Sequence, residues 1–152
     1  MKFASVPLAL ILSTACIAQP TYTRYLNARF AFSVEYPSQL FSPRGECENG
    51  DGQTFAAKDA EASLTVYGGW LLEGFSCEAL ETAKSDTGAN VTYKWKKDAA
   101  SVASGYTSDR KFFYVKRVRN ADKCLTLILK YSEARRETFD PLVSRIAGSL
   151  RG

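Results

Sequence analysis

The sequence predicts an α+β domain in which an antiparallel sheet of about six to seven strands packs with two helices. Three observations predict it. From Arg110 to Tyr131, two β-rich runs flank the polar turn Asn120-Ala121-Asp122-Lys123, which reads as a long antiparallel hairpin. Its second run places Leu125, Leu127, Leu129 and Tyr131 on one face and Cys124, Thr126, Ile128 and Lys130 on the other. Arg29–Tyr36 alternates in the same way, with Phe30, Phe32, Val34 and Tyr36 on one face. Near the C-terminus, Leu142, Val143, Ile146 and Leu150 recur at helical spacing.

The first 18 residues read as a targeting signal. Lys2 supplies the positive charge, Val6–Leu12 a short apolar stretch, and Ser13–Ala18 the small residues of a cleavage region. Two processing outcomes compete. Signal peptidase would cut after Ala18 or Ala15. Alternatively, Leu12-Ser13-Thr14-Ala15-Cys16 forms a degenerate lipobox, with Ser13 at a place usually branched and aliphatic, and Cys16 becomes a lipidated first residue. Residues 19–28 read as a tether, and 29–152 as a single α+β domain, a length that buries a real core.

Along the chain, Pro37 ends the first strand because proline donates no ladder hydrogen bond. Residues 43–52 read as a loop, since Asn49-Gly50 and Asp51-Gly52 are turn dipeptides. Gln53–Lys58 and Ala62–Tyr67 flank the turn Asp59-Ala60-Glu61 as two strands, and Gly68-Gly69 beside Trp70 reads as room for a bulky ring. Ser76 is the expected N-cap of a helix over Cys77–Ser85, with Gly88 as its stop. Val91–Lys97 reads as a strand with a buried aromatic face (Tyr93, Trp95) and a solvated lysine face, followed by the small-residue strand Ser101–Tyr106. Asp140 is the expected cap of the last helix, with Pro141 in its first position.

Export implies an oxidising compartment, so cysteines are disulfide candidates. Without Cys16, three remain, and one pair plus one free thiol is expected. Cys124 opens an apolar strand, where a buried inert thiol is the common fate; the favoured pair is therefore Cys47–Cys77. The chain has no histidine, and its cysteine spacings match no zinc pattern, so no metal site is assigned.

The charge is uneven. Residues 19–80 carry 8 acidic against 4 basic side chains, whereas residues 81–152 carry 8 acidic against 15 basic. A basic face formed by Lys94, Lys96, Lys97, Arg110, Lys116, Arg117 and Arg119 is the candidate binding surface, for an anionic envelope component or an envelope protein. Basic residues interleaved with aromatics also fit single-stranded nucleic acid, but export removes that partner.

Catalysis finds little support. Without histidine, Ser-His-Asp and Cys-His sites are impossible. No Gly-x-Ser-x-Gly or glycine-rich phosphate loop is present, and no cofactor is assigned. Paired loop carboxylates such as Glu46 and Asp51 are the residual hydrolase candidates. The reading is a non-catalytic envelope binding or accessory module, with an assembly subunit as the alternative.

The segment Phe30-Ala31-Phe32-Ser33-Val34-Glu35-Tyr36-Pro37 resembles the opening strand of PsbP-like and DcrB-like extracytoplasmic domains. The order of elements after it is similar too. That resemblance implies an α-β-α sandwich around an antiparallel sheet, and it carries over no catalytic residue. Asn49–Gly52 is also similar to a loop in short secreted proteobacterial proteins, which implies no function.

Overall fold

The computed structural model describes residues 19–87 and 90–152. The expected signal peptide with Cys16, and the expected helix stop at Gly88, lie outside the described residues.

Nine strands form: β1 (Tyr22–Asn27), β2 (Phe32–Pro37), β3 (Phe41–Glu46), β4 (Gly52–Ala57), β5 (Ala62–Trp70), β6 (Asn90–Lys97), β7 (Ala100–Tyr106), β8 (Phe112–Asn120) and β9 (Lys123–Tyr131). Helix α1 spans Ala79–Thr87, and α2 spans Arg136–Gly148 behind a short 3₁₀ turn, Glu133–Arg135. Seven strands make one antiparallel sheet in the order β3-β4-β5-β9-β8-β7-β6, and β1-β2 is a separate hairpin. The predicted central hairpin is β8–β9, paired from Phe112↔Tyr131 to Asn120↔Lys123.

Alternation decides what each sheet face covers. The face carrying Leu125, Leu127, Leu129 and Tyr131 meets β1–β2 and α2, burying Phe32, Val34, Phe41, Phe55, Phe139 and Ile146 in one core. Rings chain through it: Phe41 and Tyr131 lie 5.3 and 5.5 Å from Phe139. On the opposite face, Ala79 and Ala83 of α1 pack on Ala103, Phe113, Val115 and Ile128. The sheet is thus held between α1 on one side and α2 with β1–β2 on the other, which is the expected α-β-α arrangement.

Several local expectations are corrected. Residues 22–27 are not tether but β1, paired along its length with β2. Only its Asn27 is fully buried, so its apolar signal is faint. The 43–52 loop begins as β3, an outer strand whose register shifts between Pro43 and Glu46; proline is tolerated there because one side of an outermost strand needs no donors. Helix α1 starts at Ala79 rather than Cys77, and its cap comes from a neighbouring strand: the Ser101 hydroxyl oxygen accepts the Ala79 N–H at 2.8 Å. Helix α2 starts before Asp140 and contains Pro141. Asp140 is no cap; it accepts the Tyr131 hydroxyl at 2.7 Å and the Arg136 guanidinium at 3.1 Å.

Gly68 behaves as read. A Cβ there would sit 2.5 Å from the Phe30 ring, so only glycine lets that ring lie against β5. Trp70 completes the contact, its ring centre 5.4 Å from that of Phe30.

Candidate functional site

Cysteine pairing differs from the expectation. Cys77 is bonded to Cys124, with Cα atoms 5.7 Å apart, and Cys47 is an exposed free thiol. Cys47 sits in the β3–β4 turn, with β4 and β5 between β3 and β9. Three strand spacings of roughly 4.8 Å separate that edge from β9, against which Cys77 lies; a disulfide spans at most about 7 Å between Cα atoms. Cys124 is therefore buried by bonding rather than as an inert thiol.

The bond ties the loop between β5 and α1 onto the sheet end where β5, β6 and β8 stop and β7 and β9 start. That loop carries the exposed side chains Leu72 and Phe75. Beneath it lies a shallow hollow lined by Phe75, Glu78, Lys96, Asp98 and Arg119. A second hollow, sharing Leu71, Phe75 and Ser76 with the first, reaches Arg117 and Cys124. Arg117 donates to the Ser76 carbonyl at 3.2 Å, while its buried Nε and the buried hydroxyl of Thr126, its cross-strand partner, have no hydrogen-bond partner.

Register sorts the seven candidate cations into three places. Lys94 and Lys96 lie opposite Ala103 and Ser101, and Ser101 lies opposite Arg117. These residues, with Arg119, share the α1 face. Lys97 and Lys116 project from the other face, since they pair with Ala100 and Val102. Lys116 reaches under α2 and donates to the Ala147 carbonyl at 2.8 Å. Burial, reinforced by nearby Arg151, lowers its pKa below the ordinary lysine value. Arg110 stands at the far end, in the β7–β8 turn, 3.6 Å from Glu133. The seven do not form one face. What the fold gathers is Lys94, Lys96 and Lys97 on β6, with Arg119 beside their hairpin end. Lys96 pairs with Glu78; among the described residues, Lys94, Lys97 and Arg119 have no acidic partner.

The aromatic side of β6 is also corrected. Tyr93 and Trp95 are 54% and 43% exposed rather than buried. Strand β6 is outermost, and α2 reaches only as far as a hollow bounded by Trp95, Val102, Tyr114, Lys116 and Ala147. Burial within this hollow raises the Tyr114 pKa above the ordinary phenol value, and Tyr93 adds to the effect.

The residual hydrolase carboxylates are engaged elsewhere. Glu46 accepts the Tyr25 hydroxyl at 2.6 Å, and Asp51 pairs with Arg29 at 2.9 Å. Asn27 joins them, donating to Tyr25 at 3.1 Å and to the Gly50 carbonyl at 2.9 Å. This polar cluster fastens the β1–β2 turn to the β3–β4 turn, which is structural work.

The architecture matches a solved one. The solution structure of cyanobacterial PsbP (CyanoP) from Synechocystis sp. PCC 6803 superposes with a TM-score of 0.67, covering 91% of this chain and 96% of that one at 14% identity. The chain has the PsbP-like fold. No family model matches the sequence, and no curated protein matches it. At that identity the likeness speaks for the fold alone, the fold that the opening-strand motif Phe30–Pro37 implies. Among the described residues no helix is long and apolar enough to cross a membrane, and no group of His, Cys, Asp and Glu is placed to hold a metal.

Proposed function

We propose that this PsbP-like chain is an exported, non-enzymatic accessory module that binds an anionic partner through the basic hairpin end of β6. One observation carries the reading: Lys94, Lys96 and Arg119 share the α1 face at that end and Lys97 flanks it from the other face, four cations against the two carboxylates Glu78 and Asp98. A run of cations left unneutralised keeps a positive potential that attracts anions and weakens with salt. The Cys77–Cys124 bond fits an oxidising compartment and so supports export. The absence of histidine, and the structural engagement of Glu46 and Asp51, support the non-enzymatic part.

The test is retention on an immobilised polyanion, such as polyglutamate, at two salt concentrations. Retention that falls steeply with salt, and is lost in the Lys94→Gln/Lys97→Gln/Arg119→Gln protein, is expected. Salt-independent or absent retention overturns the reading.

The exposure of Trp70, Leu72 and Phe75 around one loop favours assembly into a larger complex as a second reading. Sedimentation over a hundredfold concentration range tests it, with self-association expected and a strict monomer against it.

A further inference from the structure

We propose that β6 is a docking edge for an extended peptide whose side chains alternate between acidic and apolar. This deepens the reading of β6 as an anion-binding edge and rests on it.

An outermost strand offers a row of unpaired backbone donors and acceptors, and proteins usually blunt it with lysine, proline or bulges. Lysines alone on β6 would be such blunting. The strand does more than that. It runs eight residues, Asn90–Lys97, its register regular from Tyr93 onward. Alternate residues face two surfaces of opposite character. Tyr93 and Trp95 stand exposed beside Val102 and Tyr114, with Lys97 and Lys116 on that same face, while Lys94 and Lys96 stand on the α1 side, Lys96 paired with Glu78. Exposing two large rings on an edge is the reverse of protection. A strand added alongside would satisfy the free backbone groups. It would lay apolar side chains against the rings on one face and carboxylates against the lysines on the other.

Charge selects the occupant. No acidic residue lies within Asn90–Lys97, so the strand brings three positive charges and no negative one. A second copy pairing β6 with β6 would set lysines against lysines, which is repulsive. Pairing β6 with the other edge, β3, meets Pro43, which lacks an N–H, the register shift between Pro43 and Glu46, and the further positive charge of Arg44. The chain's own first 18 residues contain no Asp or Glu and supply no complement. An acidic, apolar-alternating strand from another protein meets all of these constraints.

Titration calorimetry of the full chain with three synthetic decapeptides tests this: alternating Glu-Val, alternating Lys-Val, and the Glu-Val sequence N-methylated at every amide, which blocks both of its edges. We expect binding of the first only, with amide-proton shifts in β6, and a loss of at least tenfold in Trp95→Ala and in Lys94→Gln/Lys96→Gln. Equal binding of the N-methylated peptide, or no effect of Trp95→Ala, overturns strand addition. Binding in those cases that still depends on the lysines leaves the anionic-partner reading standing. Failure of the Glu-Val peptide to bind overturns the docking edge, and failure of polyglutamate as well overturns both.

Discussion

Ser101 on β7 caps α1 across space, its hydroxyl oxygen taking the Ala79 N–H at 2.8 Å. The pair lies 22 residues apart, and both partners are buried. Helix starts leave several N–H groups without partners, and a buried orphan is costly.

Ser101→Ala should therefore destabilise the protein by about 1–2 kcal/mol. Ser76→Ala, at the cap that local sequence suggests, should change stability by less than about 0.5 kcal/mol, because the side chain of Ser76 holds no helix N–H. Urea denaturation midpoints of the two variants distinguish the caps. Equal losses would refute the cross-strand assignment.

The Cys77–Cys124 bond closes a stretch with a sequence separation of 47. Loop-closure entropy for that length gives a contribution of about 4 kcal/mol, with about 2 kcal/mol as a realistic floor. Cys77→Ser/Cys124→Ser should lower the melting temperature markedly, whereas Cys47→Ser should leave it within a degree or two. Alkylation of the folded, unreduced protein, followed by peptide mapping of residues 19–152, should label Cys47 alone.

Tyr25 gives a pH signature. Burial, and then the bond to Glu46, push its pKa up to about 12 from an ordinary 10.0. The folded state thus keeps a proton that the unfolded chain loses first. The resulting stabilisation is full below pH 10 and disappears as pH rises towards 12. Tyr25→Phe removes this proton linkage, so its stability should fall less steeply than wild type between pH 10 and 12. Parallel slopes in denaturation midpoint against pH would contradict the assignment. The other buried phenols, Tyr131 above all, remain in both proteins and cancel in the comparison.

Gly68→Ala puts a methyl group into the Phe30 ring at 2.5 Å. Overpacking of this kind costs about 1–3 kcal/mol. In a Phe30→Ala background the clash is gone, and the same substitution should cost well under half as much. A double-mutant cycle measures that coupling; additive losses would show that Gly68 serves some purpose other than admitting the ring.

Where two faces differ sharply in polarity, the sequence announces the strand. Phe32–Tyr36 and Leu125–Tyr131 read correctly because their inward residues are nearly all apolar and buried, whereas the expected start at Arg29 is corrected: residues 28–31 form the β1–β2 turn, with Ala31 at positive φ. Strand β1 carries little periodicity because it buries Tyr22 and Tyr25 only in part and ends on a buried Asn27, a polar residue that no periodicity count rewards. Strand β3 carries no strand signal because Pro43, Arg44 and Gly45 are loop residues in isolation and become strand only at an outer position. The cysteine pairing is set by the strand order, which places β9 beside β5 rather than beside its chain neighbours alone; no local spacing encodes that. The basic residues were legible as a group but not as a surface, because their distribution over two faces follows from the registers of β6, β7 and β8.

The enclosed position of the Cys77–Cys124 stretch has a mechanical corollary. Helix α1 and strands β6, β7 and β8 all lie between the two bonded cysteines. A pull applied at the two ends of the oxidised chain passes through the sulfur bridge, so the covalent load path bypasses those four elements and the proposed docking edge with them. A bound peptide would hold on while β1, β2 and α2 unravelled, and would let go under load only after the bridge had been reduced.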